Sequence, residues 1–354
     1  MIKYIFATLF ALSLSCSLMA QGTLKYFPAL DSNIQYFGRT VPSEKKDVRC
    51  WAAGVYMQMR FTGNTVKLLV TDQVQYGQNH NFVEVVLDNQ PAKRIRLKTE
   101  IDTLSFTLPK AKEHTVTVYK DTEAGIGYLD FCGVQCTSLL PLNKVPLRKM
   151  EFIGNSITCG FGSDLSVAPC GQGAWYDQNN AYLSYGSLTA RKLNAQFQLS
   201  SVSGIGLMHS CCNMKITMPQ VYNKVNMRDD SLTWNFSKYQ PDVVTISLGQ
   251  NDGIQDSLTF RTGYITFLSQ LRNYYPHAEF VCLNSPMADA GLDKVLKSHV
   301  NFIVNFMNKR GDNKVHAFFF SKQFHNGCGG HPDLKEHEQI AAELTEYVKG
   351  LMHW

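Results

Sequence analysis

Short runs that alternate apolar and polar residues fill the N-terminal third of the chain, and no amphipathic helix interrupts them between about residues 23 and 137. The alternation is clearest at residues 115–119, where successive side chains would point to opposite faces of a sheet. Turn-forming Gly, Pro, Asn and Asp separate the runs. Strands at this spacing predict an antiparallel β-sandwich, such as a jelly roll, over residues 21–145. The predicted strands are 66–70, 82–88, 93–97, 104–108 and 115–119.

The pattern changes after a proline-bearing stretch at residues 139–146, and apolar strands then alternate with helical segments to the C-terminus. Residues 242–248 are almost all apolar, which is typical of a strand covered on both faces. The alternation predicts an α/β fold with a doubly wound parallel sheet over residues 146–354, whose ligand crevice lies beyond the carboxyl ends of the strands. The predicted strands are 150–153, 197–202, 242–248, 279–283 and 315–320, and the predicted helices are 180–193, 260–274, 293–309 and 332–351.

The first residues have the pattern of an export signal. Lys3 precedes an apolar run at residues 5–14, and small Ala20 stands where a signal peptidase would cut. We therefore expect a cleavable signal peptide over residues 1–20 and a secreted or periplasmic protein. An alternative is a lipid anchor on Cys16, although the residues before it make a poor lipoprotein signal. No later segment reaches the roughly 18 apolar residues of a membrane span.

Composition narrows the function classes. The 354 residues carry a formal net charge of +5, spread along the chain without long basic runs. Nucleic-acid binding usually requires a clustered basic face, so the sequence gives no sign of a nucleic-acid partner. The ten cysteines allow disulfides in an exported protein, but their spacing does not specify the pairing. The pairings considered are Cys170 with Cys328, and Cys50 with Cys132 or Cys136; the Cys211-Cys212 pair lacks the ligand spacing of a zinc site.

Four short motifs follow predicted strands at the carboxyl edge of the sheet. The motif GNSIT (154–158) places Ser156 in a tight strand-to-helix turn, which suits a nucleophile beside backbone N–H donors but also suits a helix cap. The motif SGIG (203–206) lets the Gly204 backbone approach a ligand closely. The third, GQND (249–252), offers the Asn251 carboxamide to an oxyanion, while Asp252 is expected to cap the following helix. The fourth, GCGGHP (327–332), holds His331 in a glycine loop.

In this order the motifs resemble those of the SGNH hydrolase superfamily, also called GDSL-type esterases. The resemblance covers about 200 residues, from Arg148 to the C-terminus. It implies a flavodoxin-like domain in which Ser156 attacks an ester and His331 acts as base. The oxyanion would be held by the Ser156 N–H, the Gly204 N–H and the Asn251 side chain, without a metal or other cofactor.

Two features narrow the resemblance further. A predicted β-sandwich precedes the hydrolase motifs, and the serine block continues as TCGFG (158–162), with NAYLSYG (180–186) after it. The combination is similar to carbohydrate esterase family 2, whose exported two-domain enzymes remove acetyl groups from plant polysaccharides. The resemblance implies an acetylated xylan or mannan as substrate, and we expect a monomer.

The sequence departs from the superfamily pattern three residues before His331. An Asp commonly stands there and orients the imidazole, but this chain has Cys328, whose thiol is a weak acceptor. Asp333 lies on the other side of the histidine, at a predicted helix start, and is a poor replacement. Some members of the resembled family use a Ser–His dyad supported by a main-chain carbonyl, and we expect that arrangement here.

Trp175 and Tyr176 lie in a Gly-rich insert after the serine motif and are candidates for a sugar-stacking platform, with core packing as the alternative. Two other functions stay open. The chain could be a glycan-binding protein whose hydrolase half has decayed with the loss of the Asp. It could also be a lipase or a peptidoglycan O-acetylesterase of the same superfamily.

Overall fold

The N-terminal part of the chain forms a β-sandwich. The computed structural model describes residues 23–109, 113–142, 145–229 and 231–354, so the predicted signal peptide and Cys16 lie outside the described residues. The strands of the sandwich are β1 (Lys25–Pro28), β2 (Ile34–Phe37), β3 (Thr40–Pro42), β4 (Val48–Cys50), β5 (Tyr56–Thr62), β6 (Thr65–Asp72), β7 (Phe82–Leu87), β8 (Lys93–Arg96), β9 (Ile101–Thr107), β10 (His114–Lys120), β11 (Leu129–Cys136) and β12 (Ser138–Leu140).

These strands pair antiparallel in two sheets. One has the order β3-β4-β11-β6-β9 with β1 beside β11, and the other has β12-β5-β10-β7-β8 with β2 beside β5. In β6, buried and partly exposed positions alternate strictly, because Leu68 and Val70 enter the core between the sheets. Strands β6 to β10 confirm the five predicted strands. Strand β11 was not predicted, since it is buried at most positions and carries no alternation.

The C-terminal part, here called the α/β domain, has a five-stranded parallel sheet with the order β14-β13-β15-β16-β17. This confirms the predicted doubly wound fold and is the flavodoxin-like order. No helix in the described part of the chain is long and apolar enough to cross a membrane. The elements are β13 (Arg148–Gly154), β14 (Ala195–Ser201), β15 (Val243–Ile246), β16 (Glu279–Leu283), β17 (Val315–Phe318), α1 (Ser156–Cys159), α2 (Tyr185–Lys192), α3 (Met218–Val221), α4 (Ser257–Tyr274), α5 (Ala290–Lys309) and α6 (Leu334–Met352).

One predicted helix begins later than its pattern indicated. The prediction was 180–193, but α2 starts at Tyr185. The Asn180 side chain instead binds across the structure, with Nδ2 donating to Asp164 Oδ2 at 2.8 Å and to Glu84 Oε1 at 3.1 Å. These tertiary hydrogen bonds outweigh the local helical spacing at residues 180–184.

The predicted disulfide of Cys50 with Cys132 or Cys136 is wrong, because all three are free thiols. Strand β4 pairs with β11 so that Cys50 lies opposite Leu129. Cys132 is three residues further along β11, or about 10 Å at the usual rise per residue. A disulfide requires Cα atoms within about 7 Å, so the register excludes both pairings.

The sandwich packs tightly on the α/β domain. The ring of Tyr56 lies 5.1 Å from that of Phe197, and the rings of Tyr119 and Tyr182 are 4.8 Å apart. A fully buried ion pair also crosses the interface, with Arg39 Nη2 at 3.2 Å from Glu151 Oε1. Such an interface fixes the two domains relative to one another.

A second group of charges is buried in this interface. The Arg94 guanidinium lies 3.0 Å from Asp121 Oδ2 and 3.4 Å from Asp164 Oδ2, with Glu84 beside them. Glu84 Oε2 has no hydrogen-bond partner among the described residues. Burial, together with repulsion from Asp121, raises the pKa of Glu84 from 4.5 to about 8. The raised pKa favours the protonated form of the Glu84 carboxyl.

Replacing Glu84 by Gln, which resembles the protonated carboxyl, should flatten the pH dependence of stability. The folded pKa lies above the unfolded value of 4.5, so the folded state binds more protons between pH 4.5 and about 8. Glu84 thus stabilises the native protein at low pH and loses this effect as pH rises through about 8. Urea-unfolding midpoints at about pH 5 and about pH 8.5 should therefore differ less in E84Q than in the native protein.

Glu113 provides a matched control, because this glutamate of the sandwich has a side chain that is 54% exposed. E113Q should retain the native pH dependence. An E84Q variant with the same midpoint difference as the native protein would contradict the assignment of the proton to Glu84.

Candidate active site

Ser156 lies at the carboxyl end of β13, where it is the first residue of α1. Asn155 caps this short helix, with its Oδ1 accepting the Ile157 N–H at 3.1 Å. The turn is so tight that a Cβ on Gly154 would overlap the side chain of Thr158. The result is a serine held by a rigid turn, 7% exposed, on the wall of a cleft.

His331 lies beside this serine. Its Nε2 is 2.8 Å from Ser156 Oγ, and its Nδ1 is 3.2 Å from the main-chain carbonyl oxygen of Cys328. With Nδ1 protonated, the ring donates to that carbonyl and presents the Nε2 lone pair to the serine hydroxyl. Burial lowers the pKa of His331, and the Cys328 carbonyl offsets this only in part. The geometry favours a neutral imidazole that can accept the proton of Ser156.

The loop that carries His331, residues 326–331, is fixed at several points. Cys328 forms a disulfide with Cys170, which confirms one of the three pairings considered from sequence. The Cys328 N–H also donates to the Gly162 carbonyl at 2.8 Å. Asp333 accepts the Glu336 N–H at 2.8 Å as the cap of α6, a structural role that leaves the Cys328 carbonyl as the partner of His331 Nδ1.

Gly204 and Asn251 lie in the same cleft as Ser156 and His331. Gly204 has a φ of +83°, a conformation that favours glycine, and its N–H has no hydrogen-bond partner among the described residues. One N–H of the Asn251 carboxamide donates to the Ile205 carbonyl at 2.8 Å, which leaves its second N–H available. The structure thus brings together all four residues that the motifs singled out.

The cleft has a volume of about 680 Å³. Trp175 lies on its wall, 46% exposed, and stacks on Phe161 with ring centroids 5.6 Å apart. Phe161 in turn contacts the ring of His331 at 4.6 Å. Trp175 therefore offers an open aromatic face near the Ser–His pair.

The prediction that Tyr176 belongs to the same platform is wrong. Tyr176 is 2% exposed and packs in a small core with Phe82 and Ile126 of the sandwich. Its hydroxyl lies 3.3 Å from the Gln78 carbonyl oxygen. Adjacent residues of an irregular segment point in different directions, so Trp175 faces the cleft while Tyr176 fills the domain interface.

Asp252 does not cap the helix that follows it, contrary to expectation. Helix α4 begins only at Ser257, and Asp256 caps it. The buried Asp252 carboxylate instead accepts three main-chain N–H groups of the loop beyond the Gly204 turn, those of Leu207, Met208 and His209, at 2.6–2.9 Å. Asp252 therefore has the structural role that was expected, but it stabilises the loop at residues 207–209 and not the start of a helix.

Several residues of the cleft were not predicted. Cys211 and Cys212 form a disulfide between adjacent residues on its wall, and Arg228 and Glu123 also line it. Glu123 comes from the sandwich, and nothing in its local sequence indicated that it reaches the hydrolase motifs. In the described residues, no group of three or more His, Cys, Asp or Glu side chains could hold a metal ion.

Comparison with known families agrees with this architecture. Residues 36–146 match the carbohydrate esterase 2 N-terminal domain, and residues 152–318 match the GDSL-like lipase/acylhydrolase family. The chain resembles the two-domain esterases of carbohydrate esterase family 2. This esterase is 31% identical over 333 residues to the cellulase/esterase CelE of Acetivibrio thermocellus, a match that covers 91% of the chain but 40% of CelE. It is 28% identical to an acetylxylan esterase/glucomannan deacetylase of Cellvibrio japonicus, with 92% of the chain and 91% of the relative covered.

Solved structures show the same fold. A family two carbohydrate esterase from Clostridium thermocellum, solved in complex with cellohexaose, superposes with a TM-score of 0.82 at 29% identity, covering 91% of this chain and 99% of that one. A family two carbohydrate esterase from Cellvibrio japonicus gives a TM-score of 0.85 at 26% identity, with 94% and 99% covered.

Replacing Cys170 by Ala should impair catalysis by freeing the loop of His331. The disulfide to Cys328 is one of the few links between this loop and the segment after the serine motif. A displacement of about 1 Å at a catalytic group can cost about 100-fold in rate, so we expect kcat/KM on an aryl acetate to fall roughly 10- to 100-fold.

The matched control is C132A, which removes a free, partly exposed thiol in the sandwich. It should retain native activity. Native kcat/KM in C170A, with the protein folded, would contradict a role for the disulfide in positioning the histidine.

Proposed function

We propose that this esterase removes O-acetyl groups from a plant cell-wall polysaccharide of the xylan or mannan type, through an acyl intermediate on Ser156. The observation that carries the proposal is the 2.8 Å hydrogen bond between Ser156 Oγ and His331 Nε2. It lies in a cleft that also presents the Gly204 backbone and the Asn251 carboxamide. These groups supply a nucleophile, a base and oxyanion donors, which are the parts that ester hydrolysis requires.

In the first step, Ser156 Oγ attacks the acetyl carbonyl carbon while His331 Nε2 takes the hydroxyl proton. The carbonyl oxygen becomes an oxyanion, which the Ser156 N–H, the Gly204 N–H and the free N–H of Asn251 would stabilise. One such donor typically contributes about 3–4 kcal/mol in the transition state. The protonated histidine then gives its proton to the sugar oxygen, which leaves as an alcohol.

In the second step, water attacks the acetyl-Ser156 ester while His331 takes a proton from that water. The same donors stabilise the second oxyanion, and collapse of the intermediate releases acetate. The proton returns to Ser156 Oγ, so that the enzyme regains its starting state.

The Cys328 carbonyl replaces only part of what an orienting carboxylate supplies. In other hydrolases, disabling the orienting Asp lowers the rate about ten-thousand-fold, which corresponds to roughly 5 kcal/mol. A carbonyl that accepts the Nδ1–H selects the productive tautomer and fixes the ring. It carries no full negative charge, and so stabilises the imidazolium less.

The relatives support a polysaccharide substrate. The Cellvibrio relative is an acetylxylan esterase/glucomannan deacetylase, and the Clostridium structure holds cellohexaose. Trp175 supplies an exposed aromatic face of the kind on which a pyranose ring stacks. The predicted signal peptide agrees with a substrate outside the cell, and we propose that the enzyme acts there as a monomer.

The decisive experiment measures acetate release from acetylated xylan, acetylated glucomannan and O-acetylated peptidoglycan side by side. Release should be fastest from one of the two plant polysaccharides. S156A serves as the matched variant and should lose at least about a thousandfold in activity on every substrate. The loss would follow from removal of the nucleophile alone, so S156A should still fold.

Other outcomes of this experiment would contradict the proposal. Retention on polysaccharide without any acetate release would indicate a glycan-binding protein. Preferential release from peptidoglycan would show that the substrate is not a plant polysaccharide. Undiminished hydrolysis by S156A would show that Ser156 is not the nucleophile.

The pH profile of catalysis should reflect the environment of His331. Burial lowers its pKa from 6.5, so the neutral base persists to lower pH than for an ordinary histidine. We therefore expect the acid limb of kcat/KM on an aryl acetate to have its midpoint below pH 6.5. Activity should recover when samples are returned from low to neutral pH, which separates titration from unfolding. A midpoint at or above 6.5 would contradict the predicted effect of burial.

A further inference from the structure

Glu123 is a residue of the sandwich that lies in the cleft of the α/β domain. It follows β10 and precedes β11, yet it lines the same cavity as Ser156 and Gly204. The residue is 1% exposed. A carboxylate at such a depth requires a specific reason, because burial of an unpaired charge is costly.

Its contacts connect the two segments that carry the reacting groups. Glu123 Oε2 accepts the main-chain N–H of Ser203 at 2.8 Å, and Ser203 directly precedes Gly204. The Cys159 thiol lies 3.7 Å from the same oxygen, and Cys159 ends the helix that Ser156 begins. One carboxylate thus binds both the oxyanion turn, residues 202–205, and the helix of the nucleophile.

The rest of the oxyanion turn is held in the same way. The Ile205 N–H donates to the Val202 carbonyl at 3.2 Å, and the Cys211 N–H donates to the Gly204 carbonyl at 2.9 Å. Since these bonds and that of Ser203 occupy the neighbouring groups, the Gly204 N–H keeps a fixed direction, and no acceptor among the described residues binds it. Of these three hydrogen bonds, only that from the Ser203 N–H to Glu123 crosses from the α/β domain to the sandwich.

The charge of Glu123 would by itself oppose a developing oxyanion. The buried Lys120 side chain lies nearby, with Nζ donating to the main-chain carbonyls of Thr122 and Glu123 at 2.6 and 3.3 Å. Its positive charge interacts favourably with the Glu123 carboxylate and offsets part of that negative charge. The benefit of Glu123 must therefore be geometric, through the hydrogen bond to Ser203.

We propose that Glu123 is a positioning residue of the oxyanion site, through which the sandwich domain completes the active site of the esterase. The inference rests on the proposed function of Gly204 as an oxyanion donor. It assigns to the sandwich a part in catalysis itself, distinct from any part in binding glycan.

The test compares three variants of the full chain. E123A removes the acceptor for the Ser203 N–H, E123D keeps the charge but is one methylene too short to reach it, and E123Q keeps an acceptor oxygen without the charge. In E123A and E123D, kcat on an aryl acetate should fall roughly 10- to 100-fold, with KM changed less than about threefold. E123Q should retain most of the native kcat.

A second readout reports on the oxyanion site directly. An alkylboronic acid forms a tetrahedral anion on the active serine, so its dissociation constant should rise in E123A and E123D by about the same factor as kcat falls. A role confined to stability would not change this affinity in protein that remains folded. E113A is the matched control, because Glu113 is an exposed glutamate of the same domain and should behave as the native protein.

Native kcat and boronate affinity in folded E123A or E123D would overturn the proposal. An E123Q variant as impaired as E123D would also overturn it, since a role for the acceptor alone predicts rescue. If E123A fails to fold, kcat and boronate affinity are compared between E123D and the native protein. Failure of the proposed function is distinguishable, because S156A would then hydrolyse the aryl acetate at the native rate.

Discussion

The hydrogen bond between Ser156 and His331 joins residues 175 positions apart, and the topology of the sheet makes this contact difficult. Ser156 follows β13, whereas the loop of His331 lies between β17 and α6, with β15 and β16 between the two strands. At the usual strand spacing their ends are about 14 Å apart. The loop must therefore cross the carboxyl edge of the sheet. The disulfide of Cys328 with Cys170 and the hydrogen bond of Cys328 to Gly162 hold it in the crossed position.

This crossing also determines how the histidine is oriented. The loop, fixed by the disulfide and by a main-chain hydrogen bond, offers the Cys328 carbonyl to Nδ1 at 3.2 Å, at the place where the superfamily pattern commonly has an Asp. Burial of the ring favours the uncharged imidazole, and the hydrogen bond to the Cys328 carbonyl offsets this only in part, so the resting ring can accept a proton. The same environment stabilises the imidazolium poorly. In the proposed mechanism, the transition state therefore depends more on the oxyanion donors, and a rigid turn at Gly204 would hold one of them in place.

Sequence patterns predicted the helices and strands that bury an apolar face. They also predicted which residues lie at the ends of those strands. Buried β15 and the carboxyl-edge positions of Ser156 and His331 follow from strand–helix alternation, which depends on local sequence. The failures share a different cause. Tyr176, Asp252 and Glu123 act through contacts with segments far away in the chain, two of them across the domain interface. No periodicity records such contacts, since they exist only after segments distant in the chain have come together.

Under the proposed roles of Ser156 and Glu123, the domain interface is part of the catalytic structure. Glu151 lies in β13, five residues before Ser156, and its buried carboxylate pairs with Arg39 of the sandwich at 3.2 Å. Breaking a buried pair by removing one partner typically costs about 3–5 kcal/mol, because the remaining charge stays desolvated. The sandwich thus contacts the strand that precedes Ser156 through Arg39 and the turn at residues 202–205 through Glu123. The faces that make these contacts are buried, so any glycan that the sandwich binds must lie on its remaining surface or at the edge of the shared cleft.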